Sequence, residues 1–472
     1  MGQEIGSITF GDADRTQFAE RLAAETALLR QLAEAGKLSR AGPVGGFELE
    51  AWLIDRAMYP APHNQSFLAR LGDPLVVAEL SRFNIELNGA PRALASTGLI
   101  EMEQELARTW TRCVSEAHEE VDTAIAIGTL PTLRDGDLCL DNMTPSNRYV
   151  ALNREVMRLR GGAPVEVDID CHDPLGRHLR TSHVDVMLEA GTTSFQLHLQ
   201  VPFDRLGAVH DASLELAGPL LALSANSPFL FGRPLWHETR IALFEQAMSG
   251  AAGFEGLSPR VFFASRYCAE DPLAPFEENL ADFPILLPIL SDEPRARFAH
   301  LRLHNGTIWR WVRLLAGFDA DETPHVRLEQ RVMPAGPSVI DMFANAAFYY
   351  GAVHALAQRP AALPLEAARA NFYAAARHGL GAEIDWPGGD RRPVRQVLAQ
   401  LLPLARQGLE QIGTASTAID RYLDVVEQRI ASGRNGATWQ LAHHARHDDL
   451  LRLTADYLEH QRSGMAVHEW PL

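Results

Sequence analysis

Hydrophobic and polar positions alternate without a break from Ser194 to Val201. Phe195, Leu197, Leu199 and Val201 fall on one face of a strand, and Gln196, His198 and Gln200 on the other. Three further stretches repeat the pattern with charged groups. Phe47 to Leu53 puts Glu48 and Glu50 on one face; Phe83 to Asn88 does so with Asn84, Glu86 and Asn88; His325 to Val332 does so with His325, Arg327, Glu329 and Arg331. Each strand has one apolar side, which covers a core, and one side of carboxylate, amide, imidazole or guanidinium. Together they predict a single sheet whose polar face is a site. The plainer alternative, four half-exposed strands with wet outer faces, suits any one strand better than it suits all four. Thr307 to Leu314 also alternates, with Trp309, Trp311 and Arg313 on one side. Val165 to Ile169 and Ser182 to Leu188 read as strands on either side of a turn at Asp173 to Gly176.

Elsewhere the apolar spacing is helical. Helices are expected over Thr16–Ala35, Ser66–Glu79, Gly98 to His118 and on towards Ile127, a stretch starting at Thr144–Ser146, Asp204–Asn226, Leu235–Met248 and Ser338–Leu356. Beyond Pro360 the chain reads as all helical: Leu365–His378, Val394–Ile412, Ala415–Ser432 and Thr438–Gln461. Gly250–Ser258 reads as a flexible connection, and Asp271–Ser291, with its four prolines, as a long excursion over the site. Glu101, Glu103 and Glu105 fall within a helical pattern and are expected on its solvated surface. His183 and Asp185 are read as wet, and His443, His444 and His447 as a polar helix face.

Composition changes this picture little. The 472 residues are 22% charged, with 43 Lys plus Arg against 60 Asp plus Glu and a net charge of -17. A nucleic-acid or membrane surface would want a basic patch, so neither partner is expected, whereas anions held locally by arginine are compatible with the balance. Cys113, Cys139, Cys171 and Cys268 are far apart and form no metal-type pair, which suits free thiols in a reducing cytoplasm. The N-terminus shows no signal-peptide pattern, and no run of about 18 apolar residues predicts a membrane span. Homo-oligomerisation is left open.

The polar face carries the chemistry. Carboxylates with one imidazole suit hard divalent cations such as Mg²⁺ or Mn²⁺, and interleaved arginines suit the phosphates such cations accompany. Walker-type and dinucleotide-type glycine loops are absent in the required setting, as is Gly-x-Ser-x-Gly.

An ordered set of short motifs resembles the glutamate–cysteine ligase type 2, or carboxylate–amine ligase, family of the glutamine synthetase superfamily. The matching stretches are Gly46–Glu50, Asn84–Asn88, Gly128–Leu133, Pro145–Tyr149, Phe195–Val201, Ala225–Phe229, Arg327–Val332 and Ala375–Leu380. The resemblance implies an α+β fold: an antiparallel sheet curved into a funnel, helices packed behind it, and ATP and metals inside. The matching stretches cover roughly residues 40–385, and the chain is read as a catalytic domain at 1–385 with a helical C-terminal extension at 386–472 packed on it. Two stretches depart from the commoner members. Val332–Ser338 stands where a Cys-Asp pair is usual, and Pro234–Arg240 where a Tyr-Arg-Ser-like run is usual, so the amino-acceptor pocket is expected to differ.

The resemblance implies ATP-dependent joining of a carboxylate to an amine through an acyl phosphate, with γ-glutamylcysteine as the expected product and amino acids and ATP as partners. Glu48, Glu50, Glu86, His198 and Glu329 are then the expected ligands of Mg²⁺ or Mn²⁺. Arg331, Arg327 and Glu329 are the expected catalytic groups, and Gln196, Gln200 and Arg327 the nucleotide contacts. Arg233 or Arg240, with Arg148 and Arg377 from the rim, would hold substrate carboxylate. A different acid or amine, a non-catalytic nucleotide-binding protein on the same scaffold, and a metal-dependent hydrolase are the competing readings.

Overall fold

The computed structural model describes residues 5–116, 121, 123–171, 178–248, 259–388 and 391–472. Its centre is an eight-stranded sheet. Six strands follow one another in the order Val312–Phe318, Pro324–Gln330, Phe195–Gln200, Val44–Ile54, Asn84–Asn88 and Val76–Ala78, every neighbouring pair antiparallel. Two short strands, Arg92–Ala93 and Thr123–Ile125, also pair with Val44–Ile54. All four alternating stretches lie in this sheet, which is curled, with helices packed behind it.

Register turns the one-dimensional pattern into a face, because directly opposed residues project to the same side. Glu48 stands opposite Asn88 on one neighbour and Gln196 on the other, and Glu50 opposite Glu86. His198 stands opposite Glu329, and Glu329 opposite Arg313. On the reverse side Leu49 meets Leu87 and Phe195, and Phe47 meets Leu197. That apolar side is closed by the helix Val339–Leu356, whose Phe343 ring packs edge-on against Phe47 and Phe195. Tyr350 on the same helix donates to the carbonyls of Gly46 or His198, each 3.0 Å away.

The helices beyond residue 386 lie against this backing layer. Arg429 pairs with Asp341 at 2.7 Å, both side chains fully buried, and Tyr457 donates to the Ala126 carbonyl at 2.9 Å. Among the described residues no helix is long and apolar enough to cross a membrane.

Several expected elements are corrected. Ser66–Glu79 is not one helix: Asn64–Leu71 is helical, Gly72 turns left-handed at φ 59°, and Val76–Ala78 joins the sheet. The helix from Gly98 ends at Ser115, and Thr123–Ile125 is a strand. Helical structure begins at Thr239 instead of Leu235, and the second strand of the small hairpin is His178–His183, followed by a 3₁₀ turn at Met187–Gly191. Thr438–Gln461 breaks into Gly436–His447 and Leu450–Ser463 around Asp448, which is left-handed at φ 49°. Asp271–Ser291 contains the helix Ala274–Asp282 and is tied to the N-terminal helix Asp12–Glu34, where Arg30 reaches both Asp271 and Glu277 at 2.7 Å. Trp309–Arg310 pairs with Val261–Phe262 outside the main sheet. Glu103 and His443 are buried, held by Arg421 with Tyr422 and by Asp456 respectively. The expected connection at 250–258 and the expected turn at 173–176 fall outside the described residues.

Candidate active site on the polar face of the sheet

Three side chains from three adjacent strands converge. One ligand atom each from Glu48, His198 and Glu329 lies within 4.8 Å of the others. Nε2 of His198 is 2.9 Å from Oε1 of Glu48, while the second oxygen of Glu48 is buried without a hydrogen-bond partner among the described residues. Such an orphaned carboxylate oxygen is costly unless something electropositive meets it. Two carboxylates and an imidazole form a donor set suited to a divalent cation, so the residues fit a metal here.

Glu329 is completely buried and accepts from Arg313 at both oxygens, over 2.7 and 3.0 Å, with Arg331 a further 3.2 Å away. Burial alone would raise its pKa; Arg313 and Arg331 outweigh that and hold it far below the usual carboxylate range. The group is therefore ionised whether or not a cation is bound. Each oxygen has two lone pairs, so the Arg313 fork does not exhaust its capacity to accept.

A second cluster extends from this one. Gln196 donates to Glu50 at 2.9 Å and accepts from Arg331, and the Ser194 amide donates to the other oxygen of Glu50 at 2.7 Å. Glu50, Arg331, Glu79, Glu189, Asn84, Ser194, Thr193 and Arg240 line a cleft of about 440 Å³, part of it open to solvent. Burial is the first cause of the raised carboxyl groups here. Glu50 is pushed up to about 7, with Glu79 adding to the effect, and Glu189 up to about 8, with Glu79 and Glu50 adding to it. Glu86 is raised well above its ordinary value by burial and then by Glu48, Glu79 and Glu50. Burial disfavours the charge on Arg331, but Glu329, Glu50 and Glu48 more than offset it. Several carboxyl groups thus share a space where they cannot all ionise cheaply, which is the electrostatic condition for taking up cations.

Of the other residues expected at the site, Arg327 is half-buried and donates to His198. Gln200 lies on the same face but donates to Asp319 at 2.8 Å. Arg240 lines the cleft yet is committed: to Glu238 at 3.0 Å, to the Val332 carbonyl at 2.5 Å and to the ring face of Trp311. Arg233 is exposed on a two-residue strand and donates to the His178 carbonyl, and Arg377 pairs with Asp170 over the Trp236 ring. Neither lines the cleft. Arg148 acts on the charge of Glu189 from the helix Asn147–Leu159.

Glu79, Glu189 and Arg313 went unassigned in the pattern. Glu79 continues the register in which Val77 opposes Glu86, and its amide reaches the Asn84 carbonyl at 3.4 Å. Reading residues 76–79 as a strand would have placed it. Arg313 was visible by alternation, without a role. Glu189 sits on a short 3₁₀ turn and carries no periodic signal.

An antiparallel sheet curled and backed by helices is a fold found in carboxylate–amine ligases. Residues 44–456 match the model of glutamate-cysteine ligase family 2, and the chain belongs to that family, whose members are ATP-dependent carbon–nitrogen ligases. The glutamate–cysteine ligase of Francisella tularensis, solved in complex with AMP, shares the fold: TM-score 0.53 at 12% identity, covering 91% of this chain and 90% of that one. A bifunctional glutathione synthetase from Pasteurella multocida aligns at TM-score 0.49 and 14% identity, over 93% of this chain and 55% of that one. No curated protein matches the chain by sequence.

Proposed function

We propose that the enzyme uses ATP and Mg²⁺, or Mn²⁺, to convert the γ-carboxylate of glutamate to an acyl phosphate and passes the acyl group to cysteine. The observation that carries this reading is the convergence of Glu48, His198 and Glu329 beside Arg331 and a carboxylate-rich cleft. A carboxylate does not accept an amine in water unless its oxygen is first made a leaving group. Phosphoryl transfer spreads negative charge that a closed site must neutralise with cations. Divalent cations would be held by Glu48, His198 and Glu329 and by Glu50 and Glu86, and when bound would supply that neutralisation. Arg331, held between Glu329 and Gln196, would meet the phosphate being transferred, and Arg327, beyond Glu329 in the same alternation, would assist it.

The substrate carboxylate is assigned to Arg148, which, like Arg233 and Arg377, is not among the residues lining the cleft but, unlike them, acts on the charge of Glu189 in its wall; Arg240 is consumed by Glu238 and by main-chain carbonyls. Arg148 is half-buried and close enough to Glu189 to influence its charge. The fit of an amino-acid carboxylate to a guanidinium fork supports amino acids at this end.

The second reading is the same chemistry with another amine, supported by the changed stretch Pro234–Arg240, whose arginine is unavailable. A screen of phosphate release from ATP with glutamate and cysteine, then with glutamate and other amines, separates the two. Release only with cysteine supports the first reading, and release only with another amine supports the second. Amine-independent hydrolysis would contradict both.

A further inference from the structure

A second cluster of metal-ligating groups lies away from the polar face. His210 and Asp211 are consecutive on the helix Phe203–Ser224, and Cys268 comes from the segment leading to the helix Ala274–Asp282. A ring nitrogen of His210, a carboxylate oxygen of Asp211 and the Cys268 sulfur all lie within 4.8 Å of one another. All three residues are essentially inaccessible, at 2, 3 and 1% exposure.

The cluster is braced by the main chain. The amides of Cys268 and Ala269 donate to the two oxygens of Asp211 at 2.6 and 2.9 Å, and Nδ1 of His210 stands 3.1 Å from Oδ1. Gly207, one turn earlier, brings the helix so close that a Cβ there would lie 2.3 Å from the Cys268 carbonyl oxygen. The sulfur is thereby held against the helix face that carries the imidazole and the carboxylate.

We propose that His210, Asp211 and Cys268 form a buried site for a thiophilic divalent cation of the zinc class. A carboxylate and a thiolate bring two negative charges and neutral imidazole none, so a divalent ion that displaces the protons of the thiol and the imidazole leaves the buried unit neutral. Arg310, which feels the Cys268 sulfur, is already paired with Glu278 at 3.0 Å. Thiolate and imidazole select a softer ion than the oxygen-rich face of the sheet does, so the chain carries two metal environments of different chemistry. Three protein ligands leave one tetrahedral position. The ion ties the 259–273 segment to the helix that follows the His198 strand directly, behind the candidate active site.

Cobalt spectroscopy tests this on the untagged full-length protein, stripped with chelator, reloaded with Co²⁺ and dialysed against Mg²⁺. The expected result is one retained Co²⁺ per chain with a near-ultraviolet thiolate-to-cobalt charge-transfer band. Cys268→Ser abolishes the band, His210→Gln weakens Co²⁺ binding by at least the roughly 10–100-fold that losing a hydrogen-bond partner of a ligand costs, and Glu48→Gln, on the sheet face, leaves the band intact. Absence of the band in the wild-type protein overturns the proposal whatever the variants do. Persistence of the band in Cys268→Ser overturns it too, because the thiolate would then be another cysteine. The readout is independent of ligase activity, so a failure here leaves the proposed reaction untouched and a failure of that reaction leaves this site standing.

Discussion

Nε of Arg327 lies 3.3 Å from Nδ1 of His198, on the neighbouring strand. An arginine nitrogen only donates, so Nδ1 is the acceptor and the ring hydrogen sits on Nε2, facing Glu48 at 2.9 Å. A cation at Nε2 needs the opposite tautomer, with the hydrogen on Nδ1, which Arg327 opposes. Cation binding to His198 and withdrawal of Arg327 towards an anion are therefore linked.

That linkage predicts that Arg327→Met binds Mn²⁺ more tightly than wild type when nucleotide is absent, by about 3-fold to 10-fold for the loss of one long hydrogen bond, while its KM for ATP rises. Gly317 offers a second handle. A Cβ there would meet Arg327 Nη1 at 2.6 Å and His325 Nε2 at 2.7 Å, so Gly317→Ala displaces the same guanidinium without removing its charge. Manganese binding followed by electron paramagnetic resonance, with and without ATP, checks both. Unchanged Mn²⁺ affinity in the two variants would break the link.

Glu329→Gln is expected to abolish ATP turnover and also to cost stability. Its carboxylate is the buried counter-charge of Arg313, so removing it leaves an uncompensated guanidinium, a loss of about 3–5 kcal/mol. Adding Arg313→Met should recover much of the melting temperature and none of the activity. Thermal denaturation alongside phosphate release measures both. Recovery of turnover in the double variant would show that Glu329 acts only as a structural ion-pair partner.

Arg331→Lys should lower kcat by about 100-fold or more, since a point charge replaces a planar fork between Glu329 and Gln196. Steady-state kinetics decides: a change confined to KM for the amino acids would remove Arg331 from the phosphate.

The raised carboxyl groups make stability depend on pH in a stated direction. Glu50 and Glu189 have ordinary values of 4.5 and are pushed to about 7 and about 8 in the folded protein. Between the ordinary and raised values the folded state holds more protons than the unfolded chain, so the metal-free protein loses stability as pH rises through that window. Divalent cations favour the ionised form and should restore it. The melting-temperature gain on adding Mg²⁺ is thus expected to be larger at about pH 8 than at about pH 5. An equal gain at both would mean these carboxyl groups do not face the cation.

Arg148→Met should raise KM for the amino-acid substrate bearing the free carboxylate by about 10-fold to 100-fold, with little change in melting temperature because the side chain is only half-buried. Kinetics with glutamate and amine varied separately identifies which carboxylate it holds. No effect on either KM would exclude it from substrate binding.

Alternation alone assigned Glu48, Glu50, Glu86, His198 and Glu329 to faces of strands, because a side-chain period of two leaves no other choice once one face is apolar. The family motifs supplied the antiparallel, helix-backed architecture and the ligase class. What alternation could not supply was order: that the Phe195–Gln200 strand lies between Val44–Ile54 and Pro324–Gln330, putting His198 beside both Glu48 and Glu329, is a matter of pairing between segments more than a hundred residues apart. Arg233 and Arg240 look alike as sequence, yet one is exposed and the other fully committed to Glu238 and carbonyl oxygens, because partners drawn from distant turns carry no periodic signature. Glu79 is hidden because it follows a three-residue strand too short to show alternation, and Glu189 because a 3₁₀ turn has no periodic pattern. Local chemistry and spacing thus settle which residue types face polar or apolar surroundings. Long-range register and burial settle which of them meet, and only meeting side chains make a site.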